Sequence, residues 1–314
     1  MVTELLASPR VLITGITGEF GRVLRFGQKI NPIAGDVIYH GRRIKQIDGH
    51  IVRAIDLSAS EAEWRTWFSK TKPQTILHLA GVTYTSGLGR EEMVALNADA
   101  AVKVARAASD AGVERFLYAS TAGVYGPQPD DISTLKEGRP TRPGSDYATS
   151  KAIGEEKILA FAQTTDMQMS VLRYATTAGS DMLVRNALMA TRDVPLQLDQ
   201  FADNSTPERS YLGPSDLASI HWKLLAADGI DIPNILNIAT PGSVQMHQLL
   251  GALPAVLERK IAWTYRDAGQ NAVRRNVLDC TLLERTLRQK LPLTDPIRLS
   301  DQIKAFLDAD LKSA

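Results

Sequence analysis

A doubly wound, parallel α/β sheet with a smaller C-terminal lobe is the fold class that this sequence predicts. Three observations predict it: short β-branched apolar runs alternate with helical patterns as far as residue 175, a glycine-rich turn follows the first of those runs, and the alternation loosens beyond Arg173. Strict alternation of strand and helix builds βαβ units, whose crossovers cover both faces of one parallel sheet.

Arg10–Thr14, Val37–His40, Ile51–Ile55, Thr75–Leu79, Arg115–Ala119 and Met169–Arg173 read as buried strands, each apolar, short and bounded by Gly, Pro, Asp or Ser. Gly18–Ile30, Ala59–Thr71, Arg90–Ala111 and Asp146–Gln163 read as the helices between them. Farther on, Ser180–Thr191 predicts a helix, Gln197–Arg209 a polar loop, Pro214–Ala227 a helix and Asn234–Ala239 a strand. Gln245–Glu258, Thr281–Leu291 and Asp301–Leu311 predict three more helices. Residues 1–175 are thus expected to form the sheet lobe, with strand and helix returns near 210–240. Residues 176–314 mainly form the second lobe, and the cleft lies at the carboxyl edge of the sheet.

The charge balance, 36 Lys plus Arg against 35 Asp plus Glu, gives a net +1 and excludes a dedicated nucleic-acid binder, which needs a basic excess. Cys280 is alone, and the five histidines show no metal-ligand spacing, so neither an intrachain disulfide nor a structural zinc site is expected. The first ten residues lack the basic start and apolar run of a signal peptide, and no apolar stretch is long enough to span a bilayer. A soluble, cytoplasmic protein without membrane partners is expected.

The segment Thr14-Gly15-Ile16-Thr17-Gly18-Glu19-Phe20-Gly21 joins the first strand to the first helix. Glycines three apart let the backbone turn tightly, approach a pyrophosphate and pack the helix on the strand, while the helix N-terminus attracts the anion. This strand–turn–helix context marks a Rossmann-type dinucleotide site. A carboxylate ending the second strand would bind an adenosine ribose diol and repel a 2′-phosphate; here Gly41-Arg42-Arg43 stands instead. Glycine leaves room and a guanidinium pairs with phosphate, so NADP(H) is the expected cofactor, with NAD(H) as the alternative.

Tyr147-Ala148-Thr149-Ser150-Lys151 holds a phenol and an ammonium four residues apart, on one face of a helix. A phenol titrates near about 10, and a neighbouring ammonium favours its ionised form. The same lysine can donate to ribose hydroxyls. Upstream, the strand ending Ala119-Ser120-Thr121 brings hydroxyls to the cleft edge.

With these motifs in place, the chain resembles the extended short-chain dehydrogenases/reductases, the group of nucleotide-sugar epimerases, dehydratases and several carbonyl reductases. Thr14–Gly21 resembles the family's glycine turn, Asp56-Leu57 its adenine-contacting pair, Leu79-Ala80-Gly81 after His78 its fourth-strand motif and Asn97 its helix-four asparagine. Thr121 aligns with the catalytic Ser/Thr, Tyr147 and Lys151 with the active-site pair, and Leu172-Arg173-Tyr174 begins a further family element. The resemblance implies a Thr121–Tyr147–Lys151 catalytic set. Its cofactor residues are Gly15, Thr17, Gly18, Glu19, Phe20, Gly21, Arg42, Arg43, Asp56, Leu57, Leu79, Ala80, Gly81, Asn97, Tyr147, Lys151 and Tyr174. It also implies a homodimer paired through the helices over Arg90–Ala111 and Asp146–Gln163.

Two departures bear on the substrate. Thr176 stands where the family places an asparagine against a nucleotide sugar, and an Arg-Pro-Gly-Asp element is blurred to Arg266–Gln270. Arg209, in Arg209-Ser210-Tyr211, keeps an arginine that touches substrate phosphate in relatives. Thr83, Tyr84, Thr121, Tyr125, Thr176 and Arg209 are the expected substrate contacts. Trp64, Trp67 and Phe68 read as a packed helix face, His78 as a core histidine, and Arg274-Arg275 as a solvated pair. The leading expectation is an NADP(H)-dependent oxidoreductase that interconverts a carbonyl and a secondary alcohol on a small or sugar-like molecule. The alternative is a nucleotide-sugar epimerase or dehydratase with tightly held NAD(P); a non-catalytic cofactor sensor stands behind both.

Overall fold

Strands buried on both faces form the centre of the computed structural model, which describes residues 10–30, 32, 35–226, 230–270 and 272–311. Seven strands precede the second lobe: β1 Val11–Thr14, β2 Val37–Gly41, β3 Lys45–Ile47, β4 His50–Ala54, β5 Thr75–His78, β6 Arg115–Thr121 and β7 Gln168–Tyr174. The remainder are β8 Thr176–Thr177, β9 Leu196–Gln200, β10 Glu208–Arg209, β11 Tyr211–Leu212, β12 Ile235–Ile238, β13 Val244–Gln245, β14 Trp263–Asp267 and β15 Arg275–Asn276. Eight of these build the main sheet in the order β12-β7-β6-β5-β1-β2-β4-β3. All its neighbours run parallel except β3 and β4. Strand order reverses at β1, which lies between β2 and β5, and that switch point opens a crevice at the carboxyl ends.

The helices are α1 Glu19–Ile30, α2 Glu61–Thr71, α3 Arg90–Val94, α4 Ala100–Asp110, α5 Asp146–Ala162, α6 Met182–Met189, α7 Pro214–Ala226, α8 Met246–Leu257, α9 Thr281–Thr286 and α10 Pro296–Leu311. Val23, Leu24 and Phe26 of α1 join Leu217, Ile220 and Leu224 of α7 on one face of the sheet. Trp64 and Phe68 of α2, Val104 of α4 and Ile158 of α5 cover the other. The aromatic segment of α2 is therefore core, as its helical spacing predicts. A separate cluster, with Leu183, Val184, Leu249, Leu253 and Ile303, builds the second lobe.

Local chemistry sets several boundaries. Ser60 and Glu63 form a capping box at the start of α2. Ser145 accepts the Ala148 N–H at 3.2 Å, which starts α5 with Tyr147 in its first turn. Strand β3 is absent from the sequence expectations because it is short and polar. It exists through a hairpin turn at Asp48-Gly49, whose φ values of 51° and 78° suit a primed turn. Asp48 then ties that hairpin to α1 by ion pairs with Arg25 at 3.1 Å and Lys29 at 2.8 Å.

Other expectations need correction. The polar loop expected over Gln197–Arg209 contains β9, paired in parallel with β14, and β10. Main-chain pairing holds β9 with only Leu198 buried, so no apolar run announces it. The continuous helix expected over Arg90–Ala111 is interrupted by a π-helical turn at Ala95–Asp99. The last helix starts at Pro296 rather than Asp301, with proline at the first helical position, where its missing N–H does no harm. The helix expected over Thr281–Leu291 ends at Thr286. Ala227, the expected end of α7, lies outside the described residues.

Candidate active site

The glycine turn closes on the neighbouring strand. Gly15 has φ +70°, and a Cβ there would stand 2.7 Å from the Ala80 nitrogen. At Gly21 a Cβ would meet the Ile16 carbonyl oxygen at 2.3 Å, so α1 seats directly on the turn. At Gly18 the nearest atom would be the turn's own Gly15 oxygen at 3.4 Å, and Thr17, Gly18 and Glu19 are exposed. The turn is thus tight towards the protein and open above, a shape that fits a pyrophosphate at a helix N-terminus. Thr14 spans the switch point: its Oγ1 accepts the Ala80 N–H at 3.1 Å and lies 3.1 Å from His78 Nδ1. His78 is fully buried, and burial holds it down to about 3, a neutral core histidine as expected. Leu79 packs into the core beside α1, and Gly81 is exposed at the crevice.

Arg42 and Arg43 are exposed just past β2, while Gly41 is buried. A Cβ at Gly41 would lie 2.9 Å from Thr17 Cγ2, so a side chain there requires the exposed Thr17 side chain to turn aside. Asp56 follows β4 and accepts the Ser58 N–H at 2.8 Å and hydroxyl at 2.7 Å. Those bonds, helped by the Arg42 charge, hold its carboxyl below the usual range. Leu57 is half-buried against the α2 face.

Tyr147 and Lys151 rise from the first two turns of α5, beside the end of β6. Lys151 is 5% exposed; its Nζ donates to the Ala119 carbonyl at 2.8 Å and sits 4.8 Å from the Tyr118 ring centre. Burial lowers its ammonium to about 8. Burial raises the Tyr147 phenol to about 12, with a smaller push from Tyr84. The expected lowering of Tyr147 by Lys151 is not seen in the protein alone: burial sets the direction, and the Lys151 ammonium is bonded to the Ala119 oxygen. Thr121 ends β6 and is partly exposed; its Oγ1 accepts the Gly123 N–H at 3.1 Å, leaving its proton available to donate.

Asn97 sits in the π-helical turn and is fully buried. Its Oδ1 accepts the Val82 N–H at 2.8 Å, and its Nδ2 donates to the Val82 oxygen at 3.0 Å and Ser150 Oγ at 2.9 Å. Its amide therefore clamps the loop after β5 to α5 instead of facing a ligand. On that loop Thr83 and Tyr84 are exposed, and the Tyr84 ring stands edge-on to Tyr147 with centres 6.0 Å apart.

Two candidates are core residues. Tyr125 is 1% exposed and donates its hydroxyl to Asn237 Oδ1 at 2.7 Å, so it has no free group for substrate. Tyr174 is buried, its hydroxyl bonded to His221 and its ring edge-on to Phe20 at 4.7 Å. Its ring meets the cofactor turn at Phe20. Thr176 is half-buried on β8, which pairs with β11. Arg209 donates to the backbone oxygens of Glu208, Val273 and Arg274 at 2.8, 2.7 and 3.3 Å. Burial pushes its charge down and only main-chain oxygens receive it among the described residues. Arg274 and Arg275 are not merely solvated; they pair with Asp203 at 2.6 Å and Glu208 at 2.8 Å. No cluster of potential metal ligands occurs among the described residues. Glu155, one turn beyond Lys151 on α5, escapes sequence reasoning because only the fold shows it paired with Arg173; its i+4 spacing was the available signal.

Residues 11–239 match the model of the NAD dependent epimerase/dehydratase family. The UDP-glucose 4-epimerase of Azospirillum brasilense is 26% identical over 250 residues, covering 70% of this chain and 69% of that one. The solved UDP-glucose 4-epimerase of Stenotrophomonas maltophila, with bound NAD and formylated UDP-arabinopyranose, superposes with a TM-score of 0.80 at 18% identity, over 98% of this chain and 100% of that one. The Thermotoga maritima UDP-glucose 4-epimerase with UDP-glucose gives 0.79 at 19% identity, over 96% and 99%.

Proposed function

The chain belongs to the NAD dependent epimerase/dehydratase family of extended short-chain dehydrogenases/reductases, and on that premise we propose that it is a nucleotide-sugar epimerase. The observation that carries this is that α5, which bears Tyr147 and Lys151, packs on the carboxyl end of β6, which bears Thr121, with Lys151 bonded to the Ala119 oxygen two residues before it. Relatives named as UDP-sugar 4-epimerases support the epimerase over the simple carbonyl reductase that the residues alone suggest first. An intact proton donor argues against a sensor.

Gly15, Thr17, Gly18, Glu19, Phe20 and Gly21 would hold the cofactor pyrophosphate, Asp56 and Leu57 the adenosine side, Leu79, Ala80 and Gly81 its middle, and Lys151 its far ribose. A nicotinamide cofactor bound there would supply reversible hydride acceptance at a sugar carbon. Thr121 would donate to the reacting sugar oxygen and orient it. Tyr147 would take the hydroxyl proton as phenolate when the sugar carbon gives up its hydride and hand it back when the hydride returns, so its phenol, held up to about 12 by burial in the protein alone, must first lose its proton. Arg209, a charge surrounded by main-chain oxygens, would meet the substrate diphosphate. NADP(H) preference rests on Gly41, which supplies no carboxylate, and on exposed Arg42 next to it.

The decisive assay incubates purified protein with UDP-glucose, UDP-arabinose or UDP-glucuronic acid and follows inversion at the sugar by NMR, with cofactor absorbance recorded alongside. Interconversion without net cofactor change is the expected outcome. Net, stoichiometric cofactor consumption with simple carbonyls and no sugar inversion would return the assignment to a reductase.

A further inference from the structure

A buried ion pair lies one helical turn behind Lys151, and none of the steps above uses it. Arg173 and Glu155 side chains are 4% and 3% exposed, with Arg173 Nη2 donating to Glu155 Oε2 at 2.6 Å and Nε donating to both carboxylate oxygens at 3.0 and 3.1 Å. Ser120 Oγ donates to the same carboxylate. Arg173 Nη1 reaches the Glu137 carbonyl at 3.1 Å, and its guanidinium covers the Tyr125 ring at 4.7 Å. Since Lys151 donates to Ala119 and Glu155 accepts from Ser120, α5 is tied to β6 at two successive residues.

A buried pair of charges is an expensive way to fasten a helix, because apolar side chains of equal volume hold as well without desolvation. The charge itself therefore invites a role. We propose that Glu155 is a positioning residue for Lys151: its buried carboxylate fixes α5 on the end of β6 and supplies the negative charge that keeps the ammonium charged at the mouth of the crevice. This rests on the reading of Lys151 as the ribose-holding lysine. The groups that face Lys151 support it. From α5 come Tyr147 and Glu155, from β6 the Tyr118 ring and Ala119 oxygen, and from β5 neutral His78. Arg173 of β7 stands behind Glu155. Only Glu155 among these brings a full negative charge, and it opposes the burial that draws Lys151 down.

The test reads the lysine directly, by NMR titration of protein carrying 15N-lysine, with the Lys151 signal identified by its loss in Lys151→Met. In Glu155→Gln the Lys151 midpoint is expected to drop by about one pH unit or more. Arg173→Gln keeps the carboxylate and is expected to leave the midpoint at or above the wild-type value. If Glu155→Gln fails to fold, Glu155→Gln/Arg173→Gln removes both buried charges at similar volume and is expected to show a smaller drop in the same direction, because the opposing Arg173 charge goes with the carboxylate. No drop in a folded protein lacking the carboxylate overturns the proposal. So does an equal drop in Arg173→Gln, because then lost packing rather than lost charge moves the lysine. The titration needs no turnover, so absence of sugar inversion would sink the functional reading without affecting it.

Discussion

Tyr147 is a phenol made a weaker acid by its surroundings, pushed up to about 12, on a helix whose lysine is pushed down to about 8. Both shifts come from burial, and both bring the pair towards neutral forms. The role proposed for Tyr147, taking a proton from the sugar hydroxyl and handing it back, needs the phenolic oxygen rather than the ring. Tyr147→Phe is therefore expected to lower turnover at least about a hundredfold while NADPH affinity, followed by nucleotide fluorescence, changes little. Comparable turnover in the variant would remove Tyr147 from the chemistry. At the other end of the crevice, Arg42 has the cofactor 2′-phosphate as its proposed partner. One charge-assisted hydrogen bond there contributes about 1.5–3 kcal/mol, so Arg42→Ala is expected to weaken NADPH binding about tenfold or more and leave NADH unchanged. Calorimetric titration of both cofactors checks this, and equal affinities in the wild type would contradict it.

Among the elements, α10 is held to α7, on the face of the main sheet, by a polar latch rather than by apolar contact alone. Gln302 Oε1 accepts the Ser215 and Asp216 N–H groups at 3.0 and 3.2 Å, occupying orphan donors at the start of α7. Its Nε2 donates to Asp216 Oδ2 at 2.9 Å, and Arg298 pairs with the same carboxylate through both terminal nitrogens. Gln302 is 9% exposed, so its removal leaves these groups without water. Gln302→Ala is expected to destabilise the protein by about 1–3 kcal/mol, read as a lower urea midpoint. An unchanged midpoint would show that α10 docks through Ile303 and Phe306 alone. The π-helical turn at Ala95–Asp99 is a second such device: one extra residue per turn brings Asn97 inward to hold the loop that carries Tyr84.

Across the whole molecule, burial of neutral histidines couples stability to acid. His78 is held at about 3 and His221 at about 4, against 6.5 when exposed in the unfolded chain. The unfolded state therefore binds protons first, and stability is lost as pH falls below about 6.5, by up to about 1.4 kcal/mol per pH unit for each histidine. Asp181, which burial raises to about 6, works in the opposite direction, since the folded chain takes up its proton first. These two histidines outweigh one aspartate, and His40, which burial also lowers, adds in the same direction. The expected net loss from pH 7 to pH 5 is about 2 kcal/mol, measured by urea denaturation at the two values. Equal stability at both would mean that these rings are not held neutral in the fold.

Much of this architecture was legible in the amino-acid order, because the signals were local. Alternating apolar strands and amphipathic helices report burial through periodicity. The glycine turn from Gly15 to Gly21 reports a backbone path that few other residues can follow, and the four-residue spacing of Tyr147 and Lys151 reports one helix face. What no local pattern carried was partnership between distant segments. Tyr125 and Tyr174 looked like site residues until Asn237 and His221, more than 40 positions away, took their hydroxyls. Strand β9 drew its stability from main-chain pairing with β14, and Glu155 acquired a role only when β7 placed Arg173 against it. A side chain's acidity and availability depend on what excludes water from it and what bonds to it, and in this fold those neighbours come from elsewhere in the chain.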